Sequence, residues 1–435
     1  MKQLFPLLFA LTLLVACNCN KQSTNFLVEV APIKAGFSPG RLALADSLID
    51  EYMNNGWLPG GVFLIARHGK IVYYKNFGYR SINNEKEYQK DDIFRIASMT
   101  KAITSVSIMQ LYERGKLCLD DPVSKYIPAF KDIGMLDQFN PADSSFTTIP
   151  PKRAITIRHL LTHTSGIGYG DFDNGNLRAA YSKVGMTGVG LSHESWTTEE
   201  FINRLAKVPL AFHPGEKYLY GLNMDILGRV IEVVADMPLN QYFKQNVFAP
   251  LGMVDTYFYL PKEKQDRLVP VYSQTKDGVL MKQEDSTVQL IDYPKRKDIG
   301  HYAGGGGLSS TAIDYARLIQ ALVNNGEYNG TQILGRKTIE LMTADQLITL
   351  NRNGTGISNI PGNTFCLGFG LLTEEAAGLN SKSPGTYEWG GYFSTKYFID
   401  PKEELIFVGM TQILPFTHGE FYDKLTAIIY GAIID

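Results

Sequence analysis

The chain has 435 residues, 44% of them apolar and 20% charged, so it has the composition of a globular protein and is long enough to bury a substantial core. Its 42 Lys and Arg residues nearly balance 44 Asp and Glu residues, and they are spread along the chain. A formal net charge of -2 without a basic run excludes the electrostatic footprint of a nucleic-acid-binding protein.

The N-terminus has the pattern of an export signal. A lysine at position 2 precedes an apolar run over residues 4–15, which is too short to span a bilayer and is followed by Ala-Cys. This pattern predicts a lipoprotein-type signal over residues 1–17, with lipidation at Cys17, and a polar tether over residues 18–30. We therefore expect an exported protein of the cell envelope, attached to a membrane by its N-terminal lipid. The alternative is an ordinary cleaved signal in which Cys17 is incidental.

A helix and a β-hairpin are predicted at the start of the folded region. Apolar residues recur near helical spacing over residues 38–53, and an Asn-Asn-Gly turn ends this helix. Two apolar strands, over residues 62–66 and 71–77, flank a short polar turn and predict a hairpin. An extended segment over residues 91–96 then leads into a helix over residues 99–115, whose apolar residues mark a buried face.

Helical patterns dominate between residues 117 and 300. The predicted helices cover residues 156–161, 197–207 and 224–235. The glycine-rich segment 171–192 is predicted to be a loop over the site. An Asp-Gly turn within residues 271–280 predicts one short hairpin in this region.

Beyond residue 300 the patterns alternate again between helix and strand. Helices are predicted over residues 312–324, 336–344 and 422–434, and strands over residues 365–372, 396–400 and 405–411. This order predicts an α/β fold in which an antiparallel β-sheet flanked by helices is built from both chain ends, with a mostly helical subdomain inserted in the middle. We expect one domain over residues 31–435, with its α/β part at about 31–97 and 300–435 and its helical part at about 98–299.

Ser98 and Lys101 are the first candidate catalytic residues. They open a predicted helix three positions apart, so both side chains lie on one helical face. A hydroxyl beside an amine that can be held neutral is a nucleophile with its base attached. The same spacing recurs at Ser273 and Lys276, but there it falls in the predicted hairpin, where the two side chains should not meet. The alternative for Ser98 is a solvated serine at a helix start.

Tyr220 and the Trp-Gly-Gly segment at Trp389 are the other candidate site residues. Tyr220 ends a short extended segment before a helix, where a phenol can accept the serine proton and return it to a leaving group. Its alternative is an aromatic anchor in the core. Trp389, Gly390 and Gly391 are predicted to precede a strand, where glycines allow close approach and backbone amides can act as oxyanion donors. Their alternative is a simple loop with a packed tryptophan.

Five motifs in order resemble those of the serine β-lactamase and penicillin-binding-protein superfamily, over about residues 38–432. They are Ser98-Met99-Thr100-Lys101, Leu160-Leu161-Thr162-His163-Thr164-Ser165-Gly166, Tyr220 with Asp225-Ile226-Leu227-Gly228, Gly305-Gly306-Gly307-Leu308-Ser309-Ser310-Thr311 and Trp389-Gly390-Gly391. The resemblance implies acyl transfer through a covalent acyl-enzyme on Ser98, with proton transfer by Lys101 and Tyr220. It also implies that the backbone amides of Ser98 and Tyr392 stabilise the oxyanion.

Two departures from the family pattern bear on the substrate. Leu222 stands where many relatives have an asparagine two positions after the tyrosine, and Asn223 is one position further. Trp389-Gly390-Gly391 replaces a Lys-Thr-Gly motif, whose lysine helps to bind a substrate carboxylate through a charge-assisted bond of about 1.5–3 kcal/mol. Lys382 and Lys396 are out of register and are expected to be solvated. The pattern is similar to that of class C-like esterases, which pair the tyrosine with Trp-Gly-Gly.

The motifs of other classes of hydrolase are absent from this sequence. His163 and His213 do not indicate a Ser-His-Asp triad, because no Gly-x-Ser-x-Gly motif is present, and His163 is interpreted as part of a tight turn. There is no His-Glu-x-x-His motif and no metal-ligand cysteine spacing, so we expect no metal ion or other cofactor. Cys118 and Cys366 are expected to be two separately buried thiols, with a disulfide between them as the alternative.

The sequence therefore predicts an exported serine hydrolase with esterase activity on small or amphipathic acyl substrates. Two alternatives remain open. One is a β-lactamase, a D-Ala-D-Ala carboxypeptidase or a D-aminopeptidase, acting on a lactam or a peptide rather than an ester. The other is a non-catalytic envelope protein that keeps the fold for binding.

Overall fold

The computed structural model describes residues 26–81, 86–170, 175–186, 191, 196–275, 278–284, 291–297, 300–354, 356–358 and 360–435. The predicted signal over residues 1–17, with Cys17, lies outside these ranges, as does most of the predicted tether. The signal and the lipidation therefore stay predictions. Within the described ranges, no helix is both long enough and apolar enough to cross a membrane.

The helices and strands are numbered here in chain order. The strands are β1 (Val28–Glu29), β2 (Gly60–Arg67), β3 (Lys70–Ser81), β4 (Lys86–Glu87), β5 (Phe94–Arg95), β6 (Met135–Asn140), β7 (Ser145–Ile149), β8 (Tyr272–Gln274), β9 (Leu280–Lys282), β10 (Ser309–Ser310), β11 (Glu327–Tyr328), β12 (Thr331–Gln332), β13 (Asn363–Phe365), β14 (Gly370–Leu372), β15 (Tyr387–Gly390), β16 (Lys396–Asp400) and β17 (Leu405–Met410). The α-helices are α1 (Pro39–Leu42), α2 (Leu44–Asn54), α3 (Thr100–Glu113), α4 (Ile157–Leu161), α5 (Gly175–Lys183), α6 (Thr198–Leu205), α7 (Asn223–Ala235), α8 (Leu239–Phe243), α9 (Ala249–Leu251), α10 (Ala312–Val323), α11 (Arg336–Met342), α12 (Ile348–Arg352) and α13 (Glu420–Gly431).

A central sheet of nine described strands is built from both ends of the chain, as predicted. Its order is β1-β3-β2-β17-β16-β15-β14-β13, with β4 paired to β3, and every pair is antiparallel except β1 with β3. The β2–β3 hairpin closes through His68 and Gly69, whose φ angles of 53° and 69° suit a two-residue hairpin turn. Pairing of β17 with β2, in which Val408 lies opposite Leu64, joins the C-terminal strands to this hairpin.

Helices cover both faces of the sheet because side chains alternate along its strands. Val62 and Leu64 of β2 belong to one buried core together with residues of α3, α7 and α10, whereas Phe63 and Ile65 belong to a second core together with α2 and α13. All eight residues of β2 are buried, since both of its faces are covered. The prediction of an α/β fold with a helix-flanked, mostly antiparallel sheet is confirmed.

Some of the predicted elements were wrong. The middle region contains a second hairpin, β6–β7, in which no residue is fully buried, so apolar alternation did not reveal it. The segment predicted as one strand over residues 365–372 is the hairpin β13–β14, which turns at Gly368 with a φ of 98°. Part of the loop predicted over residues 171–192 is helix α5, and its other residues lie largely outside the described ranges.

The two cysteines outside the leader region are free thiols. Cys366 is buried, as expected, but Cys118 is exposed, which corrects the prediction that both would be buried. Cys118 follows α3 in a turn that ends with Asp121, and its backbone N–H donates to the Asp121 carboxylate.

Candidate active site

Ser98 lies in a tight turn at the beginning of α3. A 3-10 turn over Ala97–Met99 leads directly into this helix, and Ala97 has a φ of 41°, a left-handed conformation that non-glycine residues rarely adopt. Helical spacing then brings Lys101 next to Ser98, so that its Nζ lies 3.1 Å from the Ser98 Oγ. Ser98 is half-buried, whereas the Lys101 side chain is only 1% exposed. The structure therefore provides the serine–amine pair that the motif predicted.

Lys101 has two further hydrogen-bond partners besides Ser98. Its Nζ donates to the Gly305 carbonyl oxygen at 2.6 Å and lies 2.9 Å from the Tyr169 hydroxyl. A carbonyl can only accept, so one N–H of Lys101 must point at Gly305. In the neutral amine, this arrangement leaves a lone pair free to accept the Ser98 proton.

Asp225 holds the glycine segment that binds Lys101. One of its carboxylate oxygens accepts from the Gly305 N–H at 3.1 Å, and a Cβ on Gly305 would lie too close to the same carboxylate. Burial raises the pKa of Asp225 to about 6, although the charge of Lys101 and the Gly305 N–H act in the opposite direction. Asp225 thus anchors the glycine segment whose carbonyl oxygen accepts from Lys101.

Tyr220 lies between Lys101 and Trp389. The Lys101 Nζ is 4.8 Å from the centroid of the Tyr220 ring, and the indole Nε1 of Trp389 donates to the Tyr220 hydroxyl at 3.0 Å. The structure thus brings together the candidate nucleophile, amine, phenol and tryptophan, which come from three separate segments of the chain.

Tyr169 is a site residue that the sequence reasoning missed. Its ring lies 5.4 Å from that of Tyr220, and its hydroxyl contacts Lys101. Burial, followed by the neighbouring Tyr220 and Asp225, raises the pKa of Tyr169 well above its ordinary value, so this phenol stays neutral. The only signal in the sequence was its place directly after the Leu160–Gly166 motif, within Gly-Tyr-Gly.

The end of β15 packs against the segment that carries Ser98. A Cβ on Gly391 would lie 2.5 Å from the Ile96 carbonyl oxygen and would also meet the Thr395 side chain, so only glycine allows this approach. Trp389 and Gly390 precede strand β16, as predicted, and they belong themselves to β15. Tyr392 follows and is 37% exposed. The oxyanion role of the Ser98 and Tyr392 amides stays a prediction.

Lys382 and Lys396 are partly buried and ion-paired, whereas the prediction was that both are solvated. Their Nζ atoms lie 2.7 Å and 3.5 Å from the carboxylate of Glu388. Burial acts to raise the pKa of Glu388, but the two lysines offset this effect and hold it below its ordinary value. Because successive side chains on a strand point to opposite faces, Glu388 and its lysines lie on the face of β15 away from Trp389.

Asn223 lies one position beyond the asparagine of many relatives in sequence and points into the core. Its side chain is fully buried and bonds to Ser165, His163 and the Ile167 carbonyl oxygen. His163 lies in a turn with a φ of 54°, in agreement with its interpretation as a turn residue. Over the described residues, no group of three or more His, Cys, Asp or Glu side chains is placed to hold a metal ion.

Comparisons with known proteins identify the family of this chain. The family model described as Beta-lactamase matches residues 45–430. Esterase EstB of Burkholderia gladioli is 30% identical over 368 residues, which cover 82% of this chain and 87% of EstB. A putative D-alanyl-D-alanine carboxypeptidase of Escherichia coli (strain K12) is 28% identical over 422 residues, which cover 92% of this chain and 89% of the relative.

Among solved structures, EstCE1 is described as a hydrolase with promiscuous acyltransferase activity. It superposes with a TM-score of 0.77 at 27% identity, and the match covers 90% of this chain and 99% of EstCE1. The family match, the shared fold and the Ser98–Lys101 pair lead to one conclusion: the chain belongs to the β-lactamase family and is a serine hydrolase of that fold.

Proposed function

We propose that this serine hydrolase is an esterase that acts on small or amphipathic, neutral acyl substrates. The observation that carries the proposal is the chemistry of β15. Trp389 lies on the face of this strand that meets Tyr220, and the two lysines nearest to it in sequence are paired to Glu388 on the opposite face. The strand therefore offers no cation to a substrate carboxylate at this position, which favours neutral esters over peptides or β-lactams with a free carboxylate.

The proposed reaction uses residues that the structure brings together. Neutral Lys101 accepts the Ser98 proton while the Ser98 Oγ bonds to the ester carbonyl carbon, and the amides of Ser98 and Tyr392 stabilise the oxyanion. The C–O bond to the leaving group then breaks, Tyr220 gives its proton to the leaving group to form an alcohol, and protonated Lys101 passes the Ser98 proton on to Tyr220. Water then gives a proton to Lys101 as its oxygen attacks the acyl carbonyl carbon, and the Ser98 Oγ leaves and takes this proton back, which releases the carboxylic acid and restores the Ser98 hydroxyl.

The relatives support a hydrolase but differ in activity. EstB is named an esterase, and EstCE1 is described as a hydrolase that also transfers acyl groups. The name of the Escherichia coli relative keeps a D-Ala-D-Ala carboxypeptidase as the second candidate. The missing lysine on β15 argues against that second candidate, because a peptide C-terminus carries a carboxylate.

Labelling with a fluorophosphonate tests the nucleophile. Ser98→Ala should abolish labelling and ester turnover, whereas Ser273→Ala, which removes the serine of the second Ser-x-x-Lys copy, should leave both unchanged. Labelling that persists in the Ser98 variant would exclude Ser98 as the nucleophile. Wild-type protein that forms no adduct with any acylating probe would favour the non-catalytic alternative.

A substrate panel tests the esterase assignment. We expect p-nitrophenyl esters of short and medium acyl chains to be hydrolysed with a higher kcat/KM than nitrocefin or a D-Ala-D-Ala peptide. A preference for the peptide or for nitrocefin would overturn the esterase assignment and leave the serine hydrolase chemistry in place.

We also propose export and lipid anchoring through Cys17. The support is the apolar run over residues 4–15 that ends at Ala-Cys. Wild-type protein expressed in a bacterial host should incorporate labelled palmitate and sediment with membranes, and Cys17→Ser should do neither. Palmitate incorporation by the Cys17 variant would contradict lipidation at this residue.

A further inference from the structure

His163 makes an unusual set of contacts for a buried turn residue. Its Nδ1 lies 2.9 Å from the Asn223 Nδ2 and accepts from the backbone N–H of Gly221 at 3.4 Å. A backbone N–H can only donate, and the Asn223 Nδ2 also faces the Ile167 carbonyl, which can only accept. Both neighbours of the Nδ1 are therefore donors, so this nitrogen carries no proton and the imidazole is the neutral Nε2–H tautomer.

His163 bonds to the chain on both sides of Tyr220. Its carbonyl oxygen accepts from the Leu219 N–H at 2.8 Å, and its ring accepts from Gly221 and Asn223. The ring itself lies 4.7 Å from the Tyr220 ring. One residue thus ties down the positions directly before and directly after the candidate proton carrier.

The environment of the ring keeps it neutral. His163 is fully buried, and burial, together with the charge of Lys101, holds its pKa well below the ordinary value for histidine. Its Nε2 has no hydrogen-bond partner among the described residues. The ring centroids of Tyr218 and Phe365 lie 5.9 Å and 5.5 Å from that of the imidazole. The polar contacts of this side chain are therefore made at the δ position alone.

We propose that His163 is a positioning residue that uses its Nδ1 as a hydrogen-bond acceptor to hold the loop 219–223, and so keeps the Tyr220 ring in place beside Lys101 and its hydroxyl beside Trp389. The inference rests on the proton-carrying role of Tyr220 in the proposed function. It assigns to the histidine of the Leu160–Gly166 motif a catalytic effect that is exerted through Tyr220 and not on the substrate.

Two conservative substitutions separate acceptor chemistry from simple packing. His163→Asn places an acceptor oxygen at the δ position and tolerates the left-handed backbone, so kcat for a p-nitrophenyl ester should stay within about fivefold of wild type. His163→Gln places its polar group at the ε position, where the structure has no partner, and should lower kcat about 10- to 50-fold. The KM of both variants should stay within about threefold of wild type, because His163 does not touch the substrate.

A double-mutant cycle with Tyr220→Phe tests whether His163 acts through Tyr220. If it does, His163→Gln should cause no more than a twofold further loss of kcat in the Tyr220→Phe background. Equal kcat for the Asn and Gln variants, or a full additional loss in the Tyr220→Phe background, would overturn the inference. The thermal unfolding midpoint of each variant shows whether the protein is folded.

A second variant covers the case in which His163→Gln does not fold. Asn223→Asp keeps the acceptor for Ser165 but replaces the N–H donor that faces His163, and the same loss of kcat and the same coupling to Tyr220→Phe are expected. Wild-type protein that prefers nitrocefin or a peptide would overturn the proposed function alone, and the cycle would then be run on that substrate. Protein that turns over none of the three substrates would overturn both proposals.

Discussion

The indole N–H of Trp389 donates to the hydroxyl oxygen of Tyr220 over 3.0 Å. The ring of Tyr220 also packs against Lys101, whose Nζ lies 4.8 Å from the ring centroid. An indole can only donate, so the Tyr220 oxygen accepts this bond and its own proton is directed elsewhere. The tryptophan that replaces the lysine of the Lys-Thr-Gly motif is thus a direct partner of the candidate proton carrier.

Trp389→Phe should lower kcat while it leaves the aromatic packing against Phe365 in place. Loss of one hydrogen bond to the reacting phenol is expected to cost about 1–2 kcal/mol in the transition state, which is a loss of roughly 5- to 30-fold in kcat. Steady-state kinetics with a p-nitrophenyl ester measures it. Trp57→Phe is the matched control, because Trp57 stacks on His418 and should not affect turnover. Unchanged kcat in Trp389→Phe would show that the hydrogen bond has no part in catalysis.

Trp389→Lys should shift the substrate preference towards anions. The new ammonium would stand on the face of β15 that meets Tyr220, where a substrate carboxylate can reach it. A charge-assisted bond of about 1.5–3 kcal/mol predicts a rise of roughly 10- to 100-fold in the kcat/KM ratio of nitrocefin to a neutral ester. Charge-neutral Trp389→Gln controls for the loss of the indole. An unchanged ratio would mean that the missing lysine does not set the substrate class.

Gly391→Ala should impair activity more than stability. The added Cβ would meet the Ile96 carbonyl oxygen and the Thr395 side chain, so β15 must move away from the segment that carries Ser98. We expect a loss of at least 10-fold in kcat/KM, because moving the end of β15 away from Ser98 misaligns the proposed oxyanion donors, the amides of Ser98 and Tyr392. Gly431→Ala, at an open helical position in α13, is the control and should leave turnover unchanged. Near-normal turnover in Gly391→Ala would contradict the close approach.

His159→Gln should reduce the acid sensitivity of the fold. Burial, together with Arg153, lowers the pKa of His159 to about 4, whereas an unfolded histidine titrates near 6.5. As the pH falls from about 6.5 to about 4, the unfolded chain binds this proton first, so the free energy of unfolding decreases over that window. Glutamine at this position keeps the capping box with Thr156 but does not titrate.

Urea unfolding at pH 7.5 and pH 4.5 measures this effect. The free energy of unfolding of His159→Gln minus that of wild type should be about 1–2 kcal/mol larger at pH 4.5 than at pH 7.5. His418→Gln is the control, because this half-buried ring stacks on Trp57 beside the second core. An equal decrease in the free energy of unfolding of His159→Gln and wild type between the two pH values would contradict the lowered pKa of His159.

Local patterns in the sequence were sufficient for much of the fold. The β2–β3 hairpin, helix α3 and strand β16 follow from alternation, helical periodicity and turn residues, which act between near neighbours in the chain. The β6–β7 hairpin was missed because its strands are largely exposed and carry no apolar alternation. The exposure of Cys118 and the ion pairs of Lys382 and Lys396 were also missed, because each depends on which other segments pack against these residues in the tertiary structure.

The sequence by itself determined the chemistry: a serine and a lysine one helical turn apart, a tyrosine before a helix and a tryptophan in place of a lysine. Only the tertiary structure decided which groups meet. The bond between Trp389 and Tyr220 joins residues 169 positions apart, and the partners of Lys101 come from Tyr169 and Gly305. Such contacts depend on how β15 and the loop 219–223 pack against the start of α3. That packing minimises the free energy of the whole chain and leaves no periodic trace in any one segment.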